Sequence, residues 1–223
     1  EGDFFVHEYD TTRENSERKR QSAFALSQAK KLDTTHQTLT IAPPPPHSGQ
    51  SLLATMLDIR PEKTMQWMQK SYMEGRISYP RTDQTELGLH GRSIVAAMAE
   101  NLHLGARLRP QWYAQAQEEQ SRHTDAFWIQ GAHPALHPTF SWGPSTSSSP
   151  SEQERVEAEI AVRAMANVMS DAVVERESVW LMTEADSQGQ NHWFQAVKDT
   201  VVEPGWMLAY ERIGRPNPLR LEK

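Results

Sequence analysis

The stretch EGRISYPRTDQTEL, residues 74–87, brings a phenol, a guanidinium and a carboxylate close together, at Tyr79, Arg81 and Asp83. Pro80 fixes its own φ and drives Tyr79 toward an extended conformation, in which residues two apart point to the same side. A phenol has an ordinary pKa near ~10, so it needs a neighbouring cation to attack a phosphate at neutral pH. An arginine suits this role because its planar fork can hold two phosphate oxygens. The spacing indicates a tyrosine aimed at a phosphodiester, although it also fits a core tyrosine beside a surface arginine.

Asp83 has two readings. It could orient Arg81 through an ion pair, or it could cap the following helix, because Asp83 and Glu86 have the three-residue spacing of a capping box.

The second stretch with possible chemistry is GAHPALHPT, residues 131–139. His133 and His137 are four apart, a spacing that can hold a metal on a helix. Pro134 and Pro138 leave little room for that helix, and no third ligand is evident, so no metal site is predicted. A single histidine can instead give a proton or a hydrogen bond to a phosphate oxygen or a leaving hydroxyl. His133 is therefore a candidate for that role, with an ordinary surface-loop histidine as the alternative.

The helices that would position these residues follow a run of four prolines, PPPP at 43–46, which makes a stiff extended connector. Ser48 is expected to N-cap a helix that carries Leu52, Leu53, Met56 and Leu57. Pro61 opens a second helix that ends at Gly75 and carries a core-facing stripe, Met65, Met68 and Tyr72. RSIVAAMAENL and residues 152–171 are the other predicted helices.

Strands are predicted on both sides of these helices. HQTLTIA places Leu39 and Ile41 on one strand face, and residues 76–79 read as a short strand. Two further strands, about 178–185 and 192–202, flank DSQGQN as a hairpin, and EPGWMLAY reads as a turn followed by a final strand. We therefore predict an α+β protein in which a mainly helical, tyrosine-bearing domain at 46–171 is inserted between strand-rich segments at 1–45 and 172–223.

Composition excludes several classes of function. The 223 residues contain no cysteine, so disulfides, thiolate zinc sites and cysteine nucleophiles are ruled out. No run of eighteen apolar residues exists, so no membrane association is predicted. The net charge of -6 is uneven: residues 46–110 hold eight Lys and Arg against six Asp and Glu, and residues 111–223 hold nine against sixteen. This charge does not by itself predict binding to DNA. The absence of an initiator Met suggests a piece of a longer protein.

Taken in order, these motifs resemble a type IA DNA topoisomerase over residues 20 to 210. PPPPHSGQSLL resembles the proline run that leads into the first gate helix. EKTMQWMQKSYMEGRISYPRTD resembles the helix followed by the strand that presents the catalytic tyrosine, and FQAVKDTVVEPGWMLAY resembles the return strands of the arch. GAHPALHPT is similar to the second active-site segment in a topoisomerase III-like form. The segments at 1–45 and 172–223 would then be parts of the arch domain, and 46–171 the gate domain.

The resemblance implies that Tyr79 attacks one strand of single-stranded DNA and forms a 5′-phosphotyrosine bond, so that resealing needs no ATP. Arg81 would hold the scissile phosphate, His133 would assist beside it, and Asp83 and Thr82 would support the loop. The other DNA-contacting residues are predicted to be Arg76, Lys70 and Gln69. The chain would work with DNA in a nucleoid or nucleus.

The family's Mg²⁺ is bound by a Toprim domain whose glutamate, lysine and acidic triad have no counterpart in this sequence. The expected partners are therefore single-stranded DNA, the remaining Toprim-bearing domains and, for topoisomerase III relatives, a helicase. The chain alone is expected to cleave DNA poorly.

Two rival classes stay open. A tyrosine relaxase needs a histidine cluster around a metal, and a tyrosine recombinase needs dispersed arginines and leaves a 3′ linkage. The other rival is a non-catalytic module, derived from the same fold, that binds single-stranded DNA or a protein.

Overall fold

A computed structural model describes residues 5–8, 30–109, 133–140, 142–182 and 193–216. The chain forms two compact units. One contains the four described strands. The other is helical, runs from Ala42 to Ala172 and resumes at Pro204. The α+β class predicted from the sequence is confirmed. In the described residues no helix is both long and apolar enough to cross a membrane.

The strands form one sheet in the order β1-β4-β3-β2, and β4 is antiparallel to both of its neighbours. Their bounds are β1 (Phe5–Glu8), β2 (Lys30–Ile41), β3 (Ala172–Met182) and β4 (Trp193–Glu203). In β2 the predicted alternation is confirmed, since Leu39 and Ile41 are half-buried and Thr40 is exposed. β3 begins six residues earlier than predicted, because its charged start is a paired strand: Arg176 lies opposite Asp199 and binds both its carboxylate oxygens at 2.7 Å. The predicted hairpin DSQGQN lies outside the described residues.

The helical unit is built around one long helix. Its elements are α1 (Gly49–Thr55), α2 (Pro61–Met73), α3 (Leu89–Asn101), a 3-10 turn (Gly105–Arg107), α4 (Glu152–Val168) and α5 (Met207–Ile213). α4 packs against α2, α3 and α5. Buried alanines on α4 let these neighbours approach closely. The larger buried residues Val156 and Ile160 of α4 pack in one core cluster with Leu52, Met56, Met68, Ile77 and Leu136.

Two of these helices begin with a complete capping box. Ser48 caps α1 together with Ser51, as expected for Ser48, and Ser151 caps α4 together with Glu154. The predicted cap at Asp83 and Glu86 is wrong, because α3 begins later, at Leu89 after Gly88. The chain is held in an extended form before that point, since the Glu86 carbonyl accepts a hydrogen bond from Ala135 N at 2.9 Å.

Three other local predictions are corrected. Leu57 is 87% exposed because α1 ends at Thr55 and the helical spacing does not continue. Residues 76–79 make a single bridge, Ile77 to Pro138, in place of a strand. EPGWMLAY leads into helix α5, whose buried Met207 and Tyr210 follow buried Trp206 at helical spacing.

Gly205 makes the turn into α5 possible. Its φ is +47°, and a Cβ placed there would lie 2.2 Å from the carbonyl oxygen of Asp171. Gly214 at the other end of α5 also has a positive φ, +75°, but a Cβ there would meet nothing within 4 Å. A side chain at Gly205 would therefore meet both backbone strain and a steric clash, whereas one at Gly214 would meet backbone strain alone.

We expect Gly205→Ala to lower the free energy of unfolding by at least about 3 kcal/mol, because the clash with backbone adds to the left-handed strain. Gly214→Ala is the matched control and should cost only about 1 kcal/mol. Urea unfolding of both variants measures the difference. Equal losses would show that the turn relaxes around the methyl group.

Candidate active site

Two segments that are far apart in the sequence lie side by side around Tyr79. Ser78 N donates to His137 O at 2.9 Å, and His137 N donates to Ser78 Oγ at 3.1 Å. Thr139 N donates to Arg76 O at 3.0 Å on one side of this pair. The structure therefore joins the two stretches that the sequence singled out, the one with Tyr79 and the one with two histidines.

The side chains of Tyr79 and His133 meet. Their ring centroids are 4.3 Å apart and the planes are tilted by 40°. On its other side Tyr79 contacts Tyr72 edge-to-face, at 5.4 Å and 81°. Tyr79 is half-buried, whereas His133 is exposed. The phenol is thus held between two aromatic rings.

Arg81 is exposed and makes no ion pair or hydrogen bond with any other residue that the structure describes. Asp83 is also exposed and accepts a hydrogen bond from Gln84 Nε2 at 3.1 Å. Within the described chain Asp83 thus neither pairs with Arg81 nor caps a helix. Arg81, two positions from Tyr79, therefore has no described partner that would compete with an anion for its charge.

Helix α1 begins directly against the tyrosine segment. Gly49 N donates to Thr82 O at 2.8 Å, and a Cβ at Gly49 would lie 2.6 Å from Pro80 O. Thr82 is buried, and its hydroxyl donates to His133 O at 2.6 Å. A close backbone approach thus holds the Pro80–Thr82 stretch on the end of α1.

The three predicted DNA contacts have different surroundings. Arg76 is half-buried and makes a two-pronged ion pair with the buried carboxylate of Glu157, with Nη2 at 2.7 Å and Nε at 2.9 Å from Oε2. Lys70 and Gln69 are exposed. Lys70 Nζ lies 3.7 Å from Glu74 Oε1 and 5.3 Å from the Trp67 ring centroid. An internal contact therefore already accounts for Arg76.

A buried polar network is connected to the histidine segment, and no pattern in the sequence predicts it. Glu159 accepts from His47 Nε2 at 3.3 Å and from Arg215 Nε at 3.0 Å. Burial lowers the pKa of His47, so its neutral imidazole donates. Burial raises the pKa of Glu159, but the hydrogen bond from His47 and the charge of Arg215 outweigh it and hold that pKa below its ordinary value. The backbone carbonyl of His47 accepts from Leu136 N at 2.7 Å, which links the network to the histidine segment.

His137 has a structural environment. It is buried, and its Nδ1 lies 2.9 Å from the carbonyl oxygen of Pro138. Burial lowers its pKa, and the nearby His90 adds to that effect, so the ring is neutral at pH 7. No group of three or more His, Cys, Asp or Glu side chains in the described part of the chain could hold a metal ion.

The tyrosine and histidine segments of this α+β protein thus meet next to Arg81, which has no partner among the described residues. A sequence profile of the DNA topoisomerase family matches residues 3–219, nearly the whole chain. The chain therefore belongs to the DNA topoisomerase family, in the type IA class that its motifs indicated.

One curated protein and one solved structure are similar to this chain. The plasmid DNA topoisomerase I of Xylella fastidiosa (strain 9a5c) is 27% identical over 158 residues, which are 71% of this chain and 22% of that protein. The full-length topoisomerase I of Thermotoga maritima has a similar fold, with a TM-score of 0.61 and 16% identity, covering 99% of this chain and 38% of that one. The chain thus spans about a fifth of the curated relative and less than two fifths of the solved one.

Because the folded-state pKa of His137 is lowered, the unfolded chain takes up the proton first, and stability falls as the pH drops below about 6.5. We expect the titration of His137 to lower the free energy of unfolding by up to about 1.4 kcal/mol between pH 7.5 and pH 5.5. His137→Asn keeps a donor near the Pro138 carbonyl but cannot titrate, so its stability should depend less steeply on pH. Urea unfolding at several pH values measures both slopes.

His103→Asn is the matched control, because His103 is exposed and its φ of +61° suits asparagine. Its curve should run parallel to that of the wild type. His47 contributes a slope of the same sign, so the His137→Asn curve keeps part of its pH dependence. Equal slopes for His137→Asn and the wild type would contradict the prediction.

Arg76→Met leaves the Glu157 carboxylate buried without its cation, and we expect a loss of about 3–5 kcal/mol in the free energy of unfolding. The double variant Arg76→Met/Glu157→Gln removes the buried charge and keeps an acceptor for Ser71 Oγ, which lies 2.6 Å from Glu157 Oε1. It should recover most of that loss. Single-stranded oligonucleotide affinity of this stable double variant then measures the contribution of Arg76 to DNA binding. If Arg76→Met alone is as stable as the wild type, the ion pair between Arg76 and Glu157 has no structural role.

Proposed function

We propose that this chain is the tyrosine-bearing part of a type IA DNA topoisomerase, which breaks and reseals one DNA strand through a 5′-phosphotyrosine intermediate. The observation that carries the proposal is the contact of the Tyr79 ring with that of His133, together with Arg81 two positions from Tyr79, which is exposed and has no partner among the described residues. Family membership supports an activity that changes DNA topology. The attack and the substrate are the proposed parts.

In the proposed step, Tyr79 Oη forms a bond to phosphorus while the bond from phosphorus to the 3′ oxygen breaks. The phenol gives up one proton, and the departing 3′ oxygen takes up one, so that a 3′-hydroxyl remains. Resealing reverses both changes without ATP, because the new phosphodiester to tyrosine keeps the energy of the one broken. The proposed step is thus a transesterification, in which one phosphodiester replaces another.

The other residues have supporting roles in this proposal. Arg81 binds the non-bridging oxygens of the scissile phosphate and balances the charge that develops on them. His133 gives a hydrogen bond or proton near the leaving oxygen. The exposed Lys70 and Gln69 on α2 contact the single strand.

The described residues do not fit the Mg²⁺ that the family implies, since they contain no acidic cluster able to hold it. The proposed partners are therefore a Toprim-bearing part, which would supply that ion, and single-stranded DNA. The form of residues 131–139 supports a topoisomerase III-like subtype, for which a helicase is the proposed further partner.

The test is covalent trapping on a 3′-labelled single-stranded oligonucleotide. The chain is mixed with Mg²⁺ and a Toprim-bearing fragment of the Xylella plasmid enzyme, and co-elution is checked before denaturation. We expect a denaturant-resistant adduct that keeps the 3′ label, is strongly reduced without the fragment and is absent in Tyr79→Phe. The Xylella enzyme's own tyrosine segment, mixed in the same way, is the positive control.

An adduct that survives in Tyr79→Phe, or one that keeps a 5′ label instead, would refute the proposal. So would a co-eluting, folded complex without adduct when the control gives one. If the two parts do not co-elute, the same assay on the two joined as one polypeptide decides the question, and the absence of an adduct there counts against Tyr79. Binding to the oligonucleotide without any adduct would favour the non-catalytic module.

A further inference from the structure

Thr82 touches three segments of the site through one small side chain and its own backbone. It is only 8% exposed. Its hydroxyl donates to His133 O at 2.6 Å and accepts from Gln84 N at 3.1 Å. Its carbonyl accepts from Gly49 N, at the start of α1, at 2.8 Å. No other described residue connects the tyrosine segment, the histidine segment and α1 in this way.

His133 depends on this contact for its position. It is exposed, and its ring makes no hydrogen bond with another described residue. The two contacts that place it are the hydroxyl of Thr82 on its backbone and the ring of Tyr79 against its side chain. The next backbone anchor of the segment is Ala135 N, two residues further on, which donates to Glu86 O. Without the Thr82 hydroxyl, one end of the histidine segment would lose its tie to the tyrosine segment.

The same hydroxyl also shapes the loop that carries Arg81. By accepting from Gln84 N, it closes a tight turn over the residue after it, as threonine hydroxyls do in such turns. The turn leaves Arg81 and Asp83, on either side of Thr82, exposed to solvent. One buried group thus faces inward, while its two charged neighbours face outward.

Building on the proposed function, we propose that Thr82 is a positioning residue whose hydroxyl holds His133 against Tyr79 for the attack on the scissile phosphate. Thr82 touches no reacting atom, and it acts through the His133 backbone. A displacement of about 1 Å in such a site can reduce the rate by two orders of magnitude. The effect should therefore appear in the rate of cleavage and not in the affinity for DNA.

The first test needs no catalysis. The His133 ring lies over the Tyr79 ring at 4.3 Å, so its NMR resonances should carry a ring-current shift. In the isolated chain, Thr82→Val has nearly the shape of threonine without the hydroxyl and should move these resonances toward free-histidine values. Thr82→Ser keeps the hydroxyl and should leave them unchanged. His133 resonances that stay shifted in Thr82→Val would refute the positioning role, even if Tyr79 proved not to be the nucleophile.

The second test is a double-mutant cycle in the trapping assay with the Toprim-bearing fragment. We expect Thr82→Val to slow adduct formation about 10- to 100-fold with oligonucleotide affinity unchanged, and Thr82→Ser to stay within about 3-fold of the wild type. In a His133→Ala background Thr82→Val should add less than about 3-fold, because its effect passes through His133. Independent, multiplying effects would refute that route.

Folding is checked alongside by thermal unfolding. If Thr82→Val does not fold, Thr82→Ala, which removes the same hydroxyl without the second methyl group, takes its place in both tests with the same expectations. If the wild type forms no adduct, the proposed function fails while the NMR comparison still decides the position of His133. The two proposals can thus fail separately.

Discussion

The hydrogen-bonded pairing of residues 75–86 with residues 133–139 is the constraint on which the site depends. It is short, and the two segments form one isolated bridge between Ile77 and Pro138. Its strength comes from what it is attached to, because Ile77 and Leu136, one from each segment, are fully buried in the core with Leu52 and Val156. Displacing either segment would therefore open a cavity among well-packed side chains. The segments that carry Tyr79 and His133 are thus anchored by a core that has no chemistry of its own.

Helix α4 adds electrostatic constraints to this packing. It buries two carboxylates two positions apart, Glu157 and Glu159, and each would be costly without a partner. Glu157 holds Arg76, three residues before the tyrosine, and Glu159 holds His47, whose carbonyl binds the histidine segment. Each contact ties its segment to one carboxylate on α4. The two carboxylates thus specify where both halves of the site lie, whatever they add to net stability.

The sequence was informative where the signal is local. Serine and proline at helix starts predicted α1 and α2. The sequence did not predict the environment of a side chain whose partner is distant in the chain. Glu157 is 81 residues from Arg76, and Glu159 is 112 residues from His47. The false cap at Asp83 has the same origin, because the bond from Ala135 to Glu86 delays the start of α3. Helix α5 was missed because a turn that needs Gly205 resembles a turn between strands.

Arg76 and Arg81 show how context, more than residue type, assigns a function. They are five positions apart in one motif, and both were predicted to meet DNA. The charge of Arg76 is already balanced by a buried carboxylate at hydrogen-bonding distance, so a phosphate would gain little from it and would have to compete with Glu157. Arg81 is exposed and has no carboxylate within reach among the described residues, so its full charge remains for a ligand. In a chain with a net charge of -6, a cation that lacks a partner among the described residues and lies two positions from a half-buried phenol supports the proposal of an anionic substrate at this point of the surface.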